Sequence, residues 1–363
     1  MSGLRERWIE RRNAMLSSVR FQRFAARFWL TRPVARRHAR TIFDLVAGFT
    51  YSQVLAAAVR SGLLDRLAEG PAATAEVAAR VDLPFAGAER LLRAAVALEL
   101  VESLGGGRWA LGSRGAMLRG NGGIAEMIAH HELLYADLAD PLALLRRGGG
   151  GGRLSEAWRY AESPGAGEAG EVADYSTLMS ASQPLVAAHI LDAYPFARHR
   201  RLLDVGGGEG RFLEAVRARA GRLELGLFDL PAVAARASAR LGAQVAIHSG
   251  SFFSDALPEG YDLISLVRIL HDHDDGPALD LLRSIYAALP PGGRLLIAEP
   301  MAATRGAEPA GDAYFGLYLL AMGSGRPRSA REIGNMLHEA GFRRWREAPS
   351  AIPLTVRIIV ADR

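Results

Sequence analysis

The chain has 363 residues, of which 49% are hydrophobic and 23% are charged, and it contains no cysteine. This composition excludes a disordered or collagen-like chain, and the length suggests about two folded domains. The lack of cysteine excludes disulfides, thiolate nucleophiles and cysteine-held metal centres. No uninterrupted apolar run approaches the ~18 residues of a membrane span, and the start has no secretory signal pattern. We therefore expect a cytoplasmic protein.

The first 40 residues form a strongly basic arm. They hold eleven Arg and two Glu, a net charge of +9 in a chain whose total is +5. Phe and Arg side chains recur there in two adjacent stripes at helical spacing, namely Phe21, Phe24 and Phe28 beside Arg20, Arg23 and Arg27. Such a helix either packs its phenylalanines on the protein or a partner subunit, or makes peripheral contact with an anionic membrane surface.

Residues 41–120 predict a small helical domain that ends in a hairpin. We expect helices over Tyr51–Leu67, Ala75–Val81 and Pro84–Glu99, followed by two strands around the glycines at 105–107. Three helices and a hairpin are typical of winged-helix domains, which either bind DNA or dimerise. The segment 84–93 carries only two arginines, a weak basic face for DNA, so dimerisation is favoured and no nucleic acid partner is expected.

Residues 121–195 predict a helical linker. Helical patterns cover Ile124–Leu145 and Tyr175–Ala193, and between them lie the five glycines of 148–152, which predict a flexible loop. Tyr175, Met179 and Gln183 fall on one face of the second helix, which is either core or the lining of a site.

Residues 196–363 alternate between strand and helix patterns. This alternation predicts an α/β domain with a mostly parallel, doubly wound sheet and helices on both of its faces. The predicted strands are Leu202–Val205, Leu223–Phe228, Val245–His248, Asp262–Val267, Arg294–Ala298 and Leu354–Val360. The predicted helices are Phe212–Ala220, Ala232–Leu241, Pro277–Leu289 and Ala330–Ala340.

A glycine-rich loop follows the first of these strands. The sequence Asp204-Val205-Gly206-Gly207-Gly208-Glu209-Gly210 has the G-x-G-x-G pattern, whereas the dinucleotide fingerprint would need its third glycine at Arg211. Asp229 ends the next strand, where a carboxylate can accept both ribose hydroxyls. The sequence therefore predicts a site for a nucleoside without a pyrophosphate, such as S-adenosylmethionine.

His271 follows the strand Asp262–Val267, where an active-site loop is expected to begin. Imidazole is the natural base near neutral pH, and the alternative is a solvated loop histidine. His271 and His273 alternate with Asp272 and would point apart in an extended chain, so no metal site is expected. Asp274 and Asp275 are interpreted as acids that start the following helix.

In this order, the motifs resemble those of the small-molecule O-methyltransferases, which include plant caffeate-type and bacterial tailoring enzymes. The resemblance rests on the segments 203–210, 228–231, 270–275 and 290–300, and covers roughly residues 42–363. It implies a homodimer with a winged-helix-like dimerisation domain, S-adenosylmethionine as cofactor and an antiparallel last strand in a Rossmann-like sheet. It also implies that His271 is the catalytic base and that Glu299 orients the imidazole and stabilises its charged form.

The resemblance also assigns the cofactor contacts. The implied residues are Asp204, Gly206, Gly208, Gly210, Asp229, Leu230, Ser251, Phe252 and Arg268, with Tyr175, Met179 and Gln183 at the methionine end. Three positions depart from the family pattern. Ser251 stands where an acid is usual, Pro327 stands where a Glu usually flanks the histidine, and His273 replaces a common Trp. These departures indicate an acceptor unlike a phenol.

A narrower resemblance rests on the segments 20–54, 265–270 and 310–329. These segments are similar to the demethylspheroidene (hydroxycarotenoid) O-methyltransferases of purple bacteria, which implies methylation of the tertiary 1-hydroxyl of an acyclic carotenoid. The apolar helix Tyr314–Met322 either lines a long pocket or is simply buried. The alternatives are a bacteriochlorophyll precursor or a polyketide phenol as acceptor and, in another class, a winged-helix DNA-binding regulator.

Overall fold

The computed structural model describes residues 2–120, 123–162, 183–351, 353 and 356–363. The chain forms two compact units, Met1–Ala116 and Met117–Arg363. The second unit carries the expected mostly parallel sheet, and the first is mainly helical with a small sheet. Tyr175 and Met179 lie outside the described residues.

The first unit contains six complete helices and a three-stranded sheet. The helices are α1 (Ser2–Ser17), α2 (Val19–Arg27), α3 (Arg32–Arg60), α4 (Leu63–Ala68), α5 (Thr74–Arg80) and α6 (Phe85–Ala97). The strands are β1 (Ala72–Ala73), β2 (Val101–Gly105) and β3 (Arg108–Leu111), in the order β1-β3-β2. The predicted hairpin is present, and the indole N–H of Trp109 in β3 donates to the Thr74 hydroxyl at 2.9 Å in the core.

Helix α3 differs from its prediction. The expected boundary after residue 40 falls inside this helix, and the predicted helix Tyr51–Leu67 is divided at Gly62, whose φ of +72° ends the α-helical path. By length and composition α3 is also apolar enough to cross a membrane. Only 11% of its apolar window is buried in the single chain. Polar residues such as Asp44 and Gln53 interrupt this stretch, so it contains no uninterrupted apolar run of membrane-spanning length.

Helix α2 does not present its phenylalanines on one face. Its inner side carries Phe21, which is partly buried, and Ala25, which is buried. Phe24 and Phe28 instead point outward, 57% and 37% exposed, and their rings stack with centroids 5.3 Å apart. The predicted stripe is wrong because α2 ends at Arg27, so that Phe28 is the extended residue beyond the helix, and because Phe21 shares its side of α2 with the buried Ala25 four residues further on.

Helix α7 (Ser113–Arg119) joins the two units. The second unit continues with α8 (Ile124–Asp137), α9 (Pro141–Arg146), α10 (Arg153–Glu162) and a helix α11 whose described part is 183–193. The five-glycine loop between α9 and α10 is fixed by packing, contrary to the prediction of a flexible loop. The Gly150 amide donates to the Leu320 carbonyl at 2.8 Å, and a Cβ on Gly149 would collide with that same carbonyl.

The large sheet has seven strands in the order β6-β5-β4-β7-β8-β10-β9. The strands are β4 (Arg201–Val205), β5 (Glu224–Asp229), β6 (Val245–Ser249), β7 (Leu263–Val267), β8 (Arg294–Glu299), β9 (Arg344–Ala348) and β10 (Arg357–Asp362). Strands β4 to β8 are parallel, whereas β10 runs antiparallel to β8 and to β9. The chain reverses direction across the sheet between β4 and β7, which is where open α/β sheets bind ligands.

Helices cover both faces of this sheet. They are α12 (Arg211–Arg219), α13 (Pro231–Leu241), α14 (Asp275–Ala288) and α16 (Ala330–Ala340). A π-helical turn, Pro309–Phe315, runs directly into α15 (Gly316–Met322), which packs against α8, α9 and α10. Two apolar cores lie on opposite sides of the sheet, since Leu202 faces one and Leu203 the other. This packing fixes the carboxyl ends of β4, β5, β7 and β8 at one edge.

Candidate active site

The glycine loop begins at the end of β4 and leads into α12. Gly206 and Gly208 have φ of +70° and +58°, a conformation that L-residues with side chains rarely adopt. A Cβ on Gly208 would point into open space, so the backbone of the loop is accessible at this position. Beneath it Asp204 is buried, and its Oδ1 accepts from the Ser265 hydroxyl at 2.6 Å. The Asp204 Oδ2 has no hydrogen-bond partner among the described residues.

Asp229 holds the glycine loop from the end of β5. One carboxylate oxygen accepts from the Gly208 amide at 2.8 Å, and the other accepts from the Leu230 amide at 2.7 Å. Burial raises the pKa of Asp229 to about 6, although both amides oppose the rise. Burial also raises the pKa of Asp204 to about 7, and the nearby Asp229 charge adds to that rise. Two acids with raised pKa at the same loop are suited to a positively charged ligand.

The loop after β6 carries Ser251 and Phe252. The Ser251 amide donates to Asp255 Oδ2 at 2.7 Å, so a carboxylate does reach this loop, from four residues further along the chain. The Phe252 ring meets the His273 ring edge to face, with centroids 5.5 Å apart. The family pattern places its acid directly after Gly250, so it does not indicate Asp255, which lies four residues beyond Ser251.

His271 lies in a buried 3-10 turn, Leu270–Asp272, just after β7. Its Nε2 is 3.0 Å from Asp272 Oδ1, and its Nδ1 is buried without a partner among the described residues. Because a carboxylate can only accept, this pairing places the proton on Nε2 and leaves Nδ1 with a free lone pair. Nδ1 is therefore the atom that can take a proton from a bound molecule.

Burial and two nearby carboxylates act in opposite directions on the pKa of His271. Burial by itself lowers it, but the Asp272 carboxylate and then Glu299 outweigh burial, so the pKa of His271 is raised above its ordinary value. Glu299, at the end of β8, is fully buried and accepts from the backbone amide of His271 at 3.1 Å. The structure thus brings Glu299 beside His271, but its hydrogen bond is to the backbone, and Asp272 holds the ring. Burial raises the pKa of Glu299.

Arg328 supports this turn from below. Its side chain is 0% exposed, and its guanidinium donates to the carbonyls of Leu270 at 2.8 Å and His273 at 2.7 Å, on either side of the His271–Asp272 pair. It also donates to Asp275 at 2.9 Å. Gly325 packs directly on the turn, since any Cβ there would collide with the His271 carbonyl. The segment 325–328 therefore places the buried guanidinium of Arg328 below the turn. The acid beside the imidazole is Asp272.

An aromatic wall faces the imidazole. The Phe315 ring lies nearly parallel to that of His271, with centroids 6.1 Å apart, and Tyr314 and Tyr318 pack around Phe315. Both tyrosine hydroxyls reach α8, where Tyr318 bonds His130 Nε2 at 2.8 Å and Tyr314 bonds His131 Nε2 at 2.6 Å. Burial, and then the neighbouring His131, lower the pKa of His130 to about 4, so the His130 imidazole is neutral near pH 7. A π-helical turn of this kind is common at functional sites.

Arg268 and Gln183 connect α11 to the same edge. The Arg268 guanidinium donates to Gln183 Oε1 at 2.7 Å. Arg268 has a φ of +58°, a strained conformation for a residue with a side chain, and its amide donates to the Ala298 carbonyl at 2.8 Å. The structure therefore brings Gln183 and Arg268 to the site, close enough for Arg268 to lower the pKa of His271.

Comparison with known proteins identifies this arrangement. The family model of the O-methyltransferase domain matches residues 137–343, and that of the O-methyltransferase dimerisation domain matches residues 43–118. The chain belongs to the O-methyltransferase family. Demethylspheroidene O-methyltransferase of Cereibacter sphaeroides is 40% identical over 355 residues, covering 96% of this chain and 93% of that protein. That of Rhodobacter capsulatus is 41% identical over 347 residues, covering 95% and 88%.

A solved structure is similar over the same extent. Human N-acetylserotonin methyltransferase in complex with SAM superimposes with a TM-score of 0.74 at 26% identity, covering 90% of this chain and 97% of that one. This O-methyltransferase uses S-adenosylmethionine, and its residues fit that cofactor. The open space beside Gly208, the unpartnered Asp204 Oδ2 and the fixed carboxylate of Asp229 lie at the same loop.

The family match also decides the role of the small domain. Residues 43–118 form a dimerisation domain, which fits a homodimer, and the DNA-binding alternative is not supported. The match begins inside α3, on which large apolar side chains are exposed in the single chain, namely Ile42, Phe43, Leu45, Val46 and Phe49. The apolar window of α3 is accordingly a surface that a dimerisation domain is expected to cover.

Besides Asp255, four residues of the site of this O-methyltransferase were not predicted from the sequence. They are Asp272, Arg328, His130 and His131. Asp272 was considered only as an extended neighbour of His271, and a helical turn brings the two side chains together. The two histidines on α8 gave no signal, because their tyrosine partners are more than 180 residues away in sequence.

Proposed function

We propose that this O-methyltransferase methylates the tertiary 1-hydroxyl of an acyclic carotenoid. The observation that carries the proposal is the similarity to two demethylspheroidene O-methyltransferases over nearly the whole chain, at about 40% identity. The apolar and aromatic wall beside His271 supports an acceptor without a polar ring. The departures at Ser251, Pro327 and His273 agree with an acceptor unlike a phenol.

In methyl transfer, the residues of the chain have only a few chemical tasks. S-adenosylmethionine, when bound, supplies a methyl group that is already activated on a positively charged sulfur. The chain must place the acceptor oxygen in line, exclude water and remove the hydroxyl proton. Nδ1 of His271 takes that proton, and the Asp272 carboxylate at Nε2 stabilises the resulting imidazolium. Glu299 and Arg328 hold the backbone of the turn, so that the ring keeps its direction.

The residues that would hold the cofactor surround the glycine loop. Asp204, Asp229 and the glycines at 206, 208 and 210 would hold the cofactor together with Leu230, Ser251 and Phe252. Arg268 and Gln183 lie on the side of α11, where Tyr175 and Met179 remain predictions from the family resemblance.

A direct assay tests the proposed acceptor. The purified enzyme is incubated with methyl-labelled S-adenosylmethionine and either demethylspheroidene or 1-hydroxyneurosporene, dispersed in detergent. We expect a labelled methyl ether of the carotenoid. Labelled product from a polyketide phenol or a bacteriochlorophyll precursor, with none from either carotenoid, would contradict the proposal and favour one of the alternatives.

We also propose that the enzyme works at the cytoplasmic side of a membrane. An acyclic carotenoid is a long apolar molecule that partitions into lipid, so a cytoplasmic enzyme must meet it at the bilayer surface. The basic arm is the part of the chain whose charge suits an anionic surface.

A further inference from the structure

Helix α2 and the turn after it carry an exposed surface that neither the fold nor the methyl transfer uses. We define the basic aromatic face as Arg20, Arg23, Phe24, Arg27, Phe28 and Trp29. The first five side chains line one open groove, and Trp29 is 68% exposed beside it. The three guanidiniums form no ion pair among the described residues. The face is therefore both apolar and charged, and no acid in the described part of the chain pairs with its arginines.

Local hydrogen bonds hold this face in shape. The Ser18 hydroxyl caps the start of α2 by accepting from the Phe21 amide, and the Thr31 hydroxyl donates to the Ala25 carbonyl at 2.8 Å at its end. Ala25 is buried on the side toward α3, which fixes the direction of the opposite side. Phe24 and Phe28 stack on each other, so they form one apolar ridge between the arginines.

The charge of the arm selects the kind of partner. All 44 basic residues of the chain are arginine, and eleven of them lie in the first 40 residues, against two acids. Guanidinium binds phosphate oxygens in pairs, and Trp and Phe beside Arg are typical of helices that lie in the headgroup region of a bilayer. A surface that carries phosphates over an apolar interior can bind both the arginines and the aromatic side chains of this face.

A second copy of the chain is a poorer occupant. In a symmetric dimer the same patch meets itself, and here that would place three unneutralised arginines against three more. The dimerisation match starts at residue 43, after this face, while the exposed apolar residues of α3 lie at the start of that match. In contrast, the matches to the two demethylspheroidene enzymes cover 96% and 95% of this chain. They therefore include part of the basic arm.

We infer that the basic aromatic face is a docking surface for an anionic lipid bilayer. Phe24, Phe28 and Trp29 enter the boundary between headgroups and acyl chains, and Arg20, Arg23 and Arg27 bind the lipid phosphates. The inference rests on the proposed function only for its purpose, which is to bring the enzyme to an acceptor dissolved in lipid.

Vesicle binding by the full-length enzyme tests this inference. Sedimentation with vesicles of phosphatidylcholine alone is compared with vesicles that also contain phosphatidylglycerol, at low and high salt. We expect binding to the anionic vesicles only, weakened by salt. The triple variant Arg20→Gln, Arg23→Gln, Arg27→Gln should bind roughly 100-fold more weakly, as expected for three basic residues at such a surface. The variant Phe24→Ser, Phe28→Ser should also bind more weakly at high salt, where only the apolar contact remains.

A matched control separates position from net charge. Arg331→Gln, Arg343→Gln, Arg344→Gln removes the same charge from exposed positions of the other unit and should bind like the wild type. Equal binding to neutral vesicles, or equal loss in the control, would overturn the inference. So would a monomeric arginine triple variant in sedimentation velocity, since the face would then be a subunit contact.

The detergent assay distinguishes this inference from the proposed function. If the arginine triple variant methylates detergent-dispersed carotenoid at the wild-type rate but loses activity on carotenoid in anionic vesicles, the docking surface is supported. If no carotenoid is methylated in detergent while vesicle binding persists, the proposed acceptor fails and the docking surface stands.

Discussion

The imidazole of His271 and the carboxylate of Asp272 lie 3.0 Å apart in a buried turn at the end of the central strand β7. The pairing assigns the two ring nitrogens different tasks, because Nε2 donates to the carboxylate and Nδ1 is left to accept. It also places a negative charge where the imidazolium forms. The two residues are adjacent in the chain, and their side chains meet within the 3-10 turn.

Asp272→Asn tests the electrostatic part of this pairing. The carboxylate raises the pKa of His271, so in the wild type the acid limb of kcat/KM should lie above the ordinary imidazole value of 6.5. The neutral amide removes that charge, and the limb should move to lower pH while the maximal rate falls. Asp274→Asn is the control, because its carboxylate accepts from the Gly325 amide instead. An unshifted limb in Asp272→Asn would mean that Asp272 does not govern the base.

Arg328→Met tests the support beneath the turn. The variant leaves the buried carbonyls of Leu270 and His273 without their donors, and each such loss costs roughly 1–3 kcal/mol. We expect a free energy of unfolding lower by about 2–5 kcal/mol and a reduced kcat. Arg326→Met is the matched control, since this arginine also pairs with Asp275 but is 44% exposed, and should cost about 1 kcal/mol or less. Equal losses in the two variants, measured by urea unfolding, would refute a special role for Arg328.

The pH dependence of cofactor affinity tests the two acids of the glycine loop. With pKa values of about 7 for Asp204 and about 6 for Asp229, both acids lose their charge as the pH falls from 8 to 5. Calorimetric affinity for S-adenosylmethionine, which carries a positive sulfur, should fall over that interval by up to about tenfold per pH unit for each acid. Asp229→Asn should bind more weakly at pH 8 and show a shallower pH dependence. Asp280→Asn, an exposed change on α14, should follow the wild type.

Much of the catalytic fold follows from hydrophobic patterning alone. Strands β4 to β8 and the helices between them match the predicted alternation within a few residues, because each strand is a short apolar run bounded by turn residues. Strand β9 was not predicted, since Arg344–Ala348 lies at the sheet edge with mostly exposed polar side chains and resembles a loop. The short β1 was missed because two alanines carry no strand signal.

The sequence predicts those candidate site residues that have a fixed place relative to a strand. The glycine loop, Asp229 and His271 were found because each follows a strand at a fixed place. Asp272 and Arg328 act through a turn and through backbone carbonyls, which leave no spacing pattern to detect. Periodicity alone left two alternatives for the phenylalanine stripe, packing or membrane contact, and the structure divides the stripe, since Phe21 is partly buried whereas Phe24 and Phe28 are exposed.

Tyr318→Phe tests the aromatic wall. Losing the hydroxyl removes the hydrogen bond that ties α15 to His130 on α8, so Phe315 is held less firmly beside the imidazole. We expect kcat/KM to fall about 3- to 10-fold, the range of one neutral hydrogen bond, mainly through KM for the acceptor. Affinity for S-adenosylmethionine should not change. Tyr286→Phe, which packs on Phe342 away from this wall, should leave both constants as they are. A change confined to kcat would contradict a role in holding the acceptor.

The most direct measurement of the whole account is single-turnover methyl transfer by His271→Gln, with calorimetric binding of S-adenosylmethionine to the same variant. The account predicts wild-type affinity together with a transfer rate about 10²- to 10⁴-fold lower, the usual share of a general base. His273→Gln, whose ring packs against Phe252 and Phe253, should retain most of the rate. A His271→Gln enzyme that transfers methyl within a few-fold of the wild-type rate would contradict the assignment of the base.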